Sequence, residues 1–388
     1  MAAIALLAAA VAGLILGHGR LRPVTVMLAA VAVGLLTGVI QPLAVAESLR
    51  PLVEPLAFLT VAVPLAILLD RIGFFDAAAE RVAAHRRLRP SLWVFAAVVT
   101  TIFNLDTSIV LLTPLYIRIA RRHGLDPLTT AYQPVLLASL ASSLLPVSNL
   151  TNLIVASSTG ADVGDFILRL GPGSVVAVTV GWWMFRRRAL AGRSPVVITA
   201  RVDTRALRIG IPIVIFLVVG FTFGAVIGVP AWVVAAMALV VVIPVAGGIP
   251  WRSIPVDAIA VAAGLALLAT AVARVVPLEG LLSSAGPGGA VSALAAGVIG
   301  TGLVNNLPAL LVGLDFVTPN TLWPFLAGLN FGPVLWIHGS LAGLLWLDIV
   351  RGHGFDVSPL DYARVGFAVG FPALLAAGAV VVTTGLFV

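Results

Sequence analysis

Apolar positions run along this chain in long blocks, and ten blocks approach the ~20 residues a helix needs to cross hydrocarbon. They are Ala2–Gly17, Val24–Pro42, Pro51–Leu69, Ala131–Ser157, Asp165–Phe185, Ile209–Gly228, Ala231–Gly247, Ile254–Val276, Leu322–Leu347 and Ala363–Leu386. The first has no basic residues ahead of it, so Met1 to Leu16 predicts a membrane helix rather than a cleaved signal peptide. The expected fold class is an all-α polytopic membrane protein.

Two further blocks, Leu92–Ile117 and Gly289–Phe316, are interrupted by polar residues: Asn104-Leu105-Asp106-Thr107 in one, Asn305-Asn306 with Pro308 in the other. Two of the spans are interrupted as well. One carries Ser148-Asn149-Leu150-Thr151-Asn152 just after Pro146, and the other carries Asn330, Gly332-Pro333, His338 and Gly339-Ser340. Polar groups at these depths are costly unless they face a cavity, a partner or a substrate. The four interruptions are therefore expected to form one site.

Charge fixes the expected topology. Basic residues flank Leu92–Ile117 on both sides, with Arg71, Arg81, His85, Arg86, Arg87 and Arg89 before it and Arg118, Arg121, Arg122 and His123 after it. A straight crossing would put one cluster outside, against the positive-inside bias. A re-entrant hairpin over about 91–118, entering from the cytoplasm, resolves this, and residues 131–157 then form a broken span. The basic stretch 186–208 is expected to be a cytoplasmic linker between halves 1–185 and 209–388. The second half repeats the plan from the other face, with an outside-entering hairpin at about 288–317 and a broken span at about 322–347. Amphipathic connectors (Phe74–Ala84; Leu278–Ser284) precede the hairpins. Inverted repeats with interrupted segments in matching places point to a transporter site at the bilayer midplane.

Composition agrees: 60% of the 388 residues are hydrophobic and 10% charged, against roughly a quarter charged in a soluble domain, and the mean hydropathy is +1.13. The net charge of +7 sits in short clusters between spans, as membrane topology requires, and is no signature of nucleic-acid binding. With no cysteine there is neither a disulfide nor a thiolate site for a metal or metalloid. No Walker loop, zinc motif or nucleophile elbow occurs, so neither an enzyme nor a cofactor nor a metal is expected. Energy for transport then comes from an ion gradient, or transport is passive.

Within the site, Asn104, Asn149, Asn305 and Asn306 offer amides to a polar solute, joined by Thr107, Ser148, Thr151, Asn152, Gly339 and Ser340. The alternatives are tip capping for Asn104 and Asp106 and interhelical hydrogen bonding for the Ser148–Asn152 run. Asp106 is the only acid of its hairpin and the leading proton or cation carrier. His338 is the second proton-coupling candidate, with donation to a carbonyl as its structural alternative.

The runs Phe103-Asn104-Leu105-Asp106-Thr107-Ser108 and Ser148-Asn149-Leu150-Thr151-Asn152-Leu153-Ile154 resemble those of arsenite efflux permeases. So do Asn305-Asn306-Leu307-Pro308-Ala309-Leu310 and Gly339-Ser340-Leu341-Ala342-Gly343 in the second half. That family belongs to an ion-transporter superfamily with divalent-anion/sodium symporters and sodium/proton antiporters. The resemblance implies a homodimer of the elevator type, with a scaffold and a moving transport domain in the cell (inner or plasma) membrane. It also implies efflux of arsenite or antimonite in exchange for protons, as in arsenical resistance, with a cytoplasmic ATPase subunit as a further partner to be considered. Exchange of sodium for protons, or sodium-coupled uptake of a carboxylate or oxyanion, is the alternative. The family commonly has an acid about where Ser139 stands, and an acid and a lysine where Asn330 and Val334 stand; His338 is particular to this chain. Any proton exchange would fall to Asp106 and His338.

Overall fold

The computed structural model describes residues 1–16, 22–83, 88–190, 202–224, 227–248, 251–276 and 278–384. His85, Arg86 and Arg87, and residues 191–201 of the basic linker, lie outside them. Regular secondary structure among the described residues is helical throughout. The helices named below are α1 (Ala2–Leu16), α2 (Pro23–Leu36), α3 (Val53–Arg71), α4 (Phe74–Ala83), α5 (Leu88–Phe103) and α6 (Leu105–His123). They continue with α7 (Pro127–Leu140), α8 (Leu150–Thr159), α9 (Gly171–Leu190), α10 (Thr204–Phe223), α11 (Ala231–Ala246) and α12 (Val256–Ala273). The last are α13 (Gly286–Val304), α14 (Asn306–Gly313), α15 (Pro319–Phe331), α16 (Leu341–Gly352) and α17 (Phe371–Thr384).

Segments Pro42–Arg71, Thr204–Phe223, Val256–Ala273, Gly286–Val304 and Pro359–Thr384 are long and apolar enough to cross a membrane, and the pair Val163–Arg169 and Gly171–Arg188, bent by 52°, makes a sixth. Ten spans were expected from hydropathy. Five of those ten are among the six, Gly286–Val304 lies instead in the expected second hairpin, and the other five fall short for two physical reasons. Helices α1, α2 and α11 have only 15, 14 and 16 residues, about 21–24 Å at 1.5 Å per residue. The spans over 131–157 and 322–347 are each split into two shorter helices.

A lipid surround is written on the outside of the molecule. Ile211, Ile215, Val219 and Phe223 of α10 and Met237, Val240 and Val241 of α11 are exposed large apolar side chains, a contiguous surface that water would not tolerate. Local sequence sets the helix ends. The Asp126 carboxylate accepts from Thr129 N–H at 2.7 Å, with Pro127 in the first turn of α7. Helix α6 closes on Arg121, Arg122 and His123 and on Gly124 in the left-handed conformation, φ 68°.

Two sets of helices result. Helices α1, α2 and α12 pack on one another, and α3 packs on α11, which also holds α10. The other set brings together α5, α6, α7 and α8 with α13 to α17, and α9 lies against α7 and α17. Helix α6 is buried along most of its length, so the first hairpin is interior. The closest approach in this set is between α13 and α15: a Cβ on Gly328 would lie 2.2 Å from the Leu294 carbonyl oxygen, and one on Gly297 would lie 2.4 Å from that of Phe325. Glycine at both positions lets the two backbones touch.

Candidate functional site

Helices α5 and α6 meet at Asn104 and fold back on each other. The Tyr116 hydroxyl donates to the Leu92 carbonyl, and these two residues lie equally far after and before Asn104. Helices α13 and α14 meet in the same way at Asn305, where Gly300 faces Ala309 across the bend. With eight residues, α14 is about 12 Å long, too short to cross the ~30 Å core.

Asn104 has φ 74°, ψ 149° and Asn305 φ 87°, ψ 156°. Among the described residues they are the only non-glycine residues with positive φ. This backbone region is nearly reserved for glycine and costs of order 1–3 kcal/mol elsewhere. The amide side chains repay the strain in the same manner at both tips. Asn104 Oδ1 accepts from Asp106 N–H at 3.1 Å, and its Nδ2 donates to the Val147 carbonyl at 3.3 Å. Asn305 Oδ1 accepts from Leu307 N–H at 3.2 Å, and its Nδ2 donates to the His338 carbonyl at 2.9 Å. Each tip is thereby tied to the break in its neighbouring span. Capping is thus present in full at both tips, and of the two amides only that of Asn305 also lines a cavity.

Each break has extended residues between two helix ends. Asn149 (φ −146°, ψ 142°) starts α8, and its Oδ1 accepts from Thr151 N–H at 3.2 Å. Ser340 (φ −145°, ψ 161°) starts α16 with its hydroxyl making no capping bond. Ser148 Oγ donates to the carbonyls of Ser142 and Leu145, and Asn152 Nδ2 donates to the same two.

The two breaks are joined by an amide relay that sequence reading missed. Asn330, 1% exposed, accepts at Oδ1 from Asn149 Nδ2 and from Thr151 Oγ1, both at 2.9 Å, and donates from Nδ2 to Asn152 Oδ1 at 2.7 Å. The signal available in the sequence was a lone amide near the end of an apolar helix, with no local partner.

A cavity of about 60 Å³ lies between these elements and helices α1, α3 and α12. Of the expected site residues, Asp106, Asn149, Thr151, Asn305, Asn306, His338 and Ser340 line it. Thr107 faces the adjoining larger cavity, while Asn104, Ser148, Asn152 and Gly339 are outside both linings. The opposite wall is apolar, from Val11 and Leu14 of α1, Leu59 of α3 and Val261 and Leu265 of α12. Asp106 Oδ1 is buried and has no hydrogen-bond partner. His338 Nε2 lies 2.8 Å from the Gly302 carbonyl, so that nitrogen carries the proton and Nδ1 is left over. Among the described lining residues none is an arginine.

Tip strain gives a test of the capping account. Asn305→Ala keeps the strained backbone and loses both tethers, whereas Asn305→Gly loses the tethers and relieves the strain. The alanine variant should be less stable than the glycine variant by about 1–3 kcal/mol, read from thermal unfolding in detergent. Equal stability would mean that the tip relaxes without cost.

Residues 4–336 match the family described as Citrate transporter. Among curated proteins, the chain is similar to the arsenical pump membrane protein of Yersinia enterocolitica, at 27% identity over 354 residues, covering 80% of this chain and 81% of that one. Against the arsenical pump membrane protein of Escherichia coli strain K12 it is 26% identical over 358 residues, covering 82% and 83%. With apolar helices facing outward, a small cavity with polar side chains on one wall where two broken spans meet, and a family match across most of its length, this chain is a multi-pass membrane transporter and belongs to the Citrate transporter family.

Proposed function

We propose that the protein exports a small, uncharged hydroxylated metalloid acid, arsenite or antimonite, across the cell (inner or plasma) membrane in exchange for protons. The observation that carries this reading is the unpartnered carboxylate of Asp106 in a cavity of about 60 Å³ that arginine does not line among the described residues. A multiply charged carboxylate such as citrate would meet a carboxylate there and no compensating cation, at a cost of several kcal/mol. A neutral polyhydroxy acid needs only mixed donors and acceptors, which Asp106, Asn306, His338 and Ser340 supply. The relatives are named as arsenical pump membrane proteins, which supports an arsenical as cargo.

The path follows from two larger cavities. One of about 420 Å³ shares Asp106, Ala258, Val261 and Leu341 with the central cavity and reaches Trp251, Arg22 and Asp257. Arg22 and Asp257 pair at 3.2 Å. The other, of about 320 Å³, lies beyond Leu145, Pro146 and Val147 and reaches Asp162 and Trp232. With the basic ends of α6 and α9 on the cytoplasmic face, the first cavity opens inward and the second outward, so the site faces the cytoplasm. On this reading residues 1–185 and 209–388 are inverted repeats around the 186–208 linker. The hairpins at about 91–118 and 288–317 re-enter from opposite faces, and they move with the broken spans 131–157 and 322–347 against a scaffold containing α1, α3 and α12. The working unit is a homodimer, and any ATPase subunit would dock on the cytoplasmic linker.

Arsenite flux into inverted proteoliposomes, driven by a pH gradient with and without sodium, tests this directly. Proton-driven, sodium-independent flux is expected. Flux that requires sodium would transfer the assignment to a sodium-coupled transporter. Cells expressing the chain should gain arsenite tolerance, and an Asn149→Ala/Asn305→Ala double variant should lose it.

A further inference from the structure

Recognition in this pocket involves hydroxyl groups and leaves the central atom of the cargo untouched. The chain has no cysteine, and its four methionines, at 1, 27, 184 and 237, are not among the residues lining the cavity. A trivalent arsenic or antimony centre binds strongly to sulfur, yet none is offered. What the cavity does offer is an acceptor at Asp106 Oδ1 without a protein partner and a Ser340 hydroxyl that makes no cap. To these it adds the Asn306 amide and the second ring nitrogen of His338. Donors and acceptors are mixed, which suits O–H groups because each both donates and accepts.

From this we infer, on the basis of the reading above, that the transporter accepts small uncharged trihydroxy acids whatever their central atom, with boric acid as the non-thiophilic member. A site built to hydrogen-bond a hydroxyl rejects analogues that lack it, but it discriminates weakly against an analogue with the same number of hydroxyls on one small central atom. Boric acid is undissociated at neutral pH, presents three hydroxyls around one small atom and has no affinity for thiols. It therefore isolates the feature claimed here.

The experiment uses the purified full chain in proteoliposomes, with protein-free vesicles correcting for leakage of boric acid through lipid. Arsenite uptake is measured with boric acid outside, and then with unlabelled boric acid loaded inside. A several-fold rise in apparent KM for arsenite at unchanged maximal rate, and faster arsenite entry into boric-acid-loaded vesicles, are the expected results. Normal arsenite flux with neither effect would overturn this inference and leave the arsenite reading standing. Absence of arsenite flux would overturn both. A third arm replaces boric acid with methylboronic acid, which lacks one hydroxyl; inhibition as strong as that by boric acid would show that hydroxyls are not what the pocket reads.

Discussion

Asp106→Asn is expected to reduce proton-driven arsenite flux in proteoliposomes to the level of protein-free vesicles, while the purified variant keeps its yield and its unfolding temperature. The substitution keeps the shape of the side chain and leaves the Asn104 tether untouched, because that bond is made to the backbone N–H of residue 106. It removes the one carboxylate lining the cavity among the described residues, whose Oδ1 has no protein donor and is free to take a proton or a cation in turn. An intramembrane ionisable group with that exposure is the expected carrier of a coupling proton. Arsenite counterflow, which needs no net proton movement, should survive in part. Full proton-driven flux in the variant would remove Asp106 from the coupling and leave His338 as the group to test.

Asn330→Leu should produce the largest loss of stability of any single change at the site. The leucine fills the volume but strands Asn149 Nδ2, Thr151 Oγ1 and Asn152 Oδ1, which meet Asn330 at 2.9, 2.9 and 2.7 Å. A buried polar group deprived of its partner costs about 1–3 kcal/mol, although single interhelical bonds in membranes average nearer 0.6 kcal/mol. With three groups affected together, a loss of about 2–5 kcal/mol is expected. Detergent-solubilised protein should unfold at a clearly lower temperature, and arsenite flux should fall with it. Asn330→Gln, which keeps both amide functions on a longer stem, should recover part of the loss. Wild-type stability in the leucine variant would show that the relay contributes no energy.

Much of the site could be read from the chain before the structure. Helix breaks at Asn104 and Asn305 follow from polar residues inside apolar runs. The breaks after Pro146 and at Gly332-Pro333 follow from proline and glycine where a helix cannot continue unaided. The roles within the site were harder to read, for physical reasons. Whether an asparagine caps a tip or faces a solute depends on backbone φ, and no local pattern distinguishes Asn104 from an ordinary N-cap. The relay at Asn330 joins residues 178 to 181 positions apart, far beyond any helical period. The apolar wall of Leu59, Val261 and Leu265 is made of side chains that look like every other leucine and valine in the spans. Hydropathy counts apolar residues and does not register a helix of 15 residues or the breaks within 131–157 and 322–347.

The direction of the bonds at Asn330 has an evolutionary consequence. Its Oδ1 is filled by two donors and its Nδ2 is required by Asn152 Oδ1, while Asn152 Nδ2 is already committed to two carbonyls. A carboxylate at position 330 would set oxygen against oxygen unless position 152 changed to a donor. Homologues with an acid in place of Asn330 should therefore carry a compensating change at the counterpart of Asn152, so the two positions are expected to covary across the lineage even though 178 positions separate them.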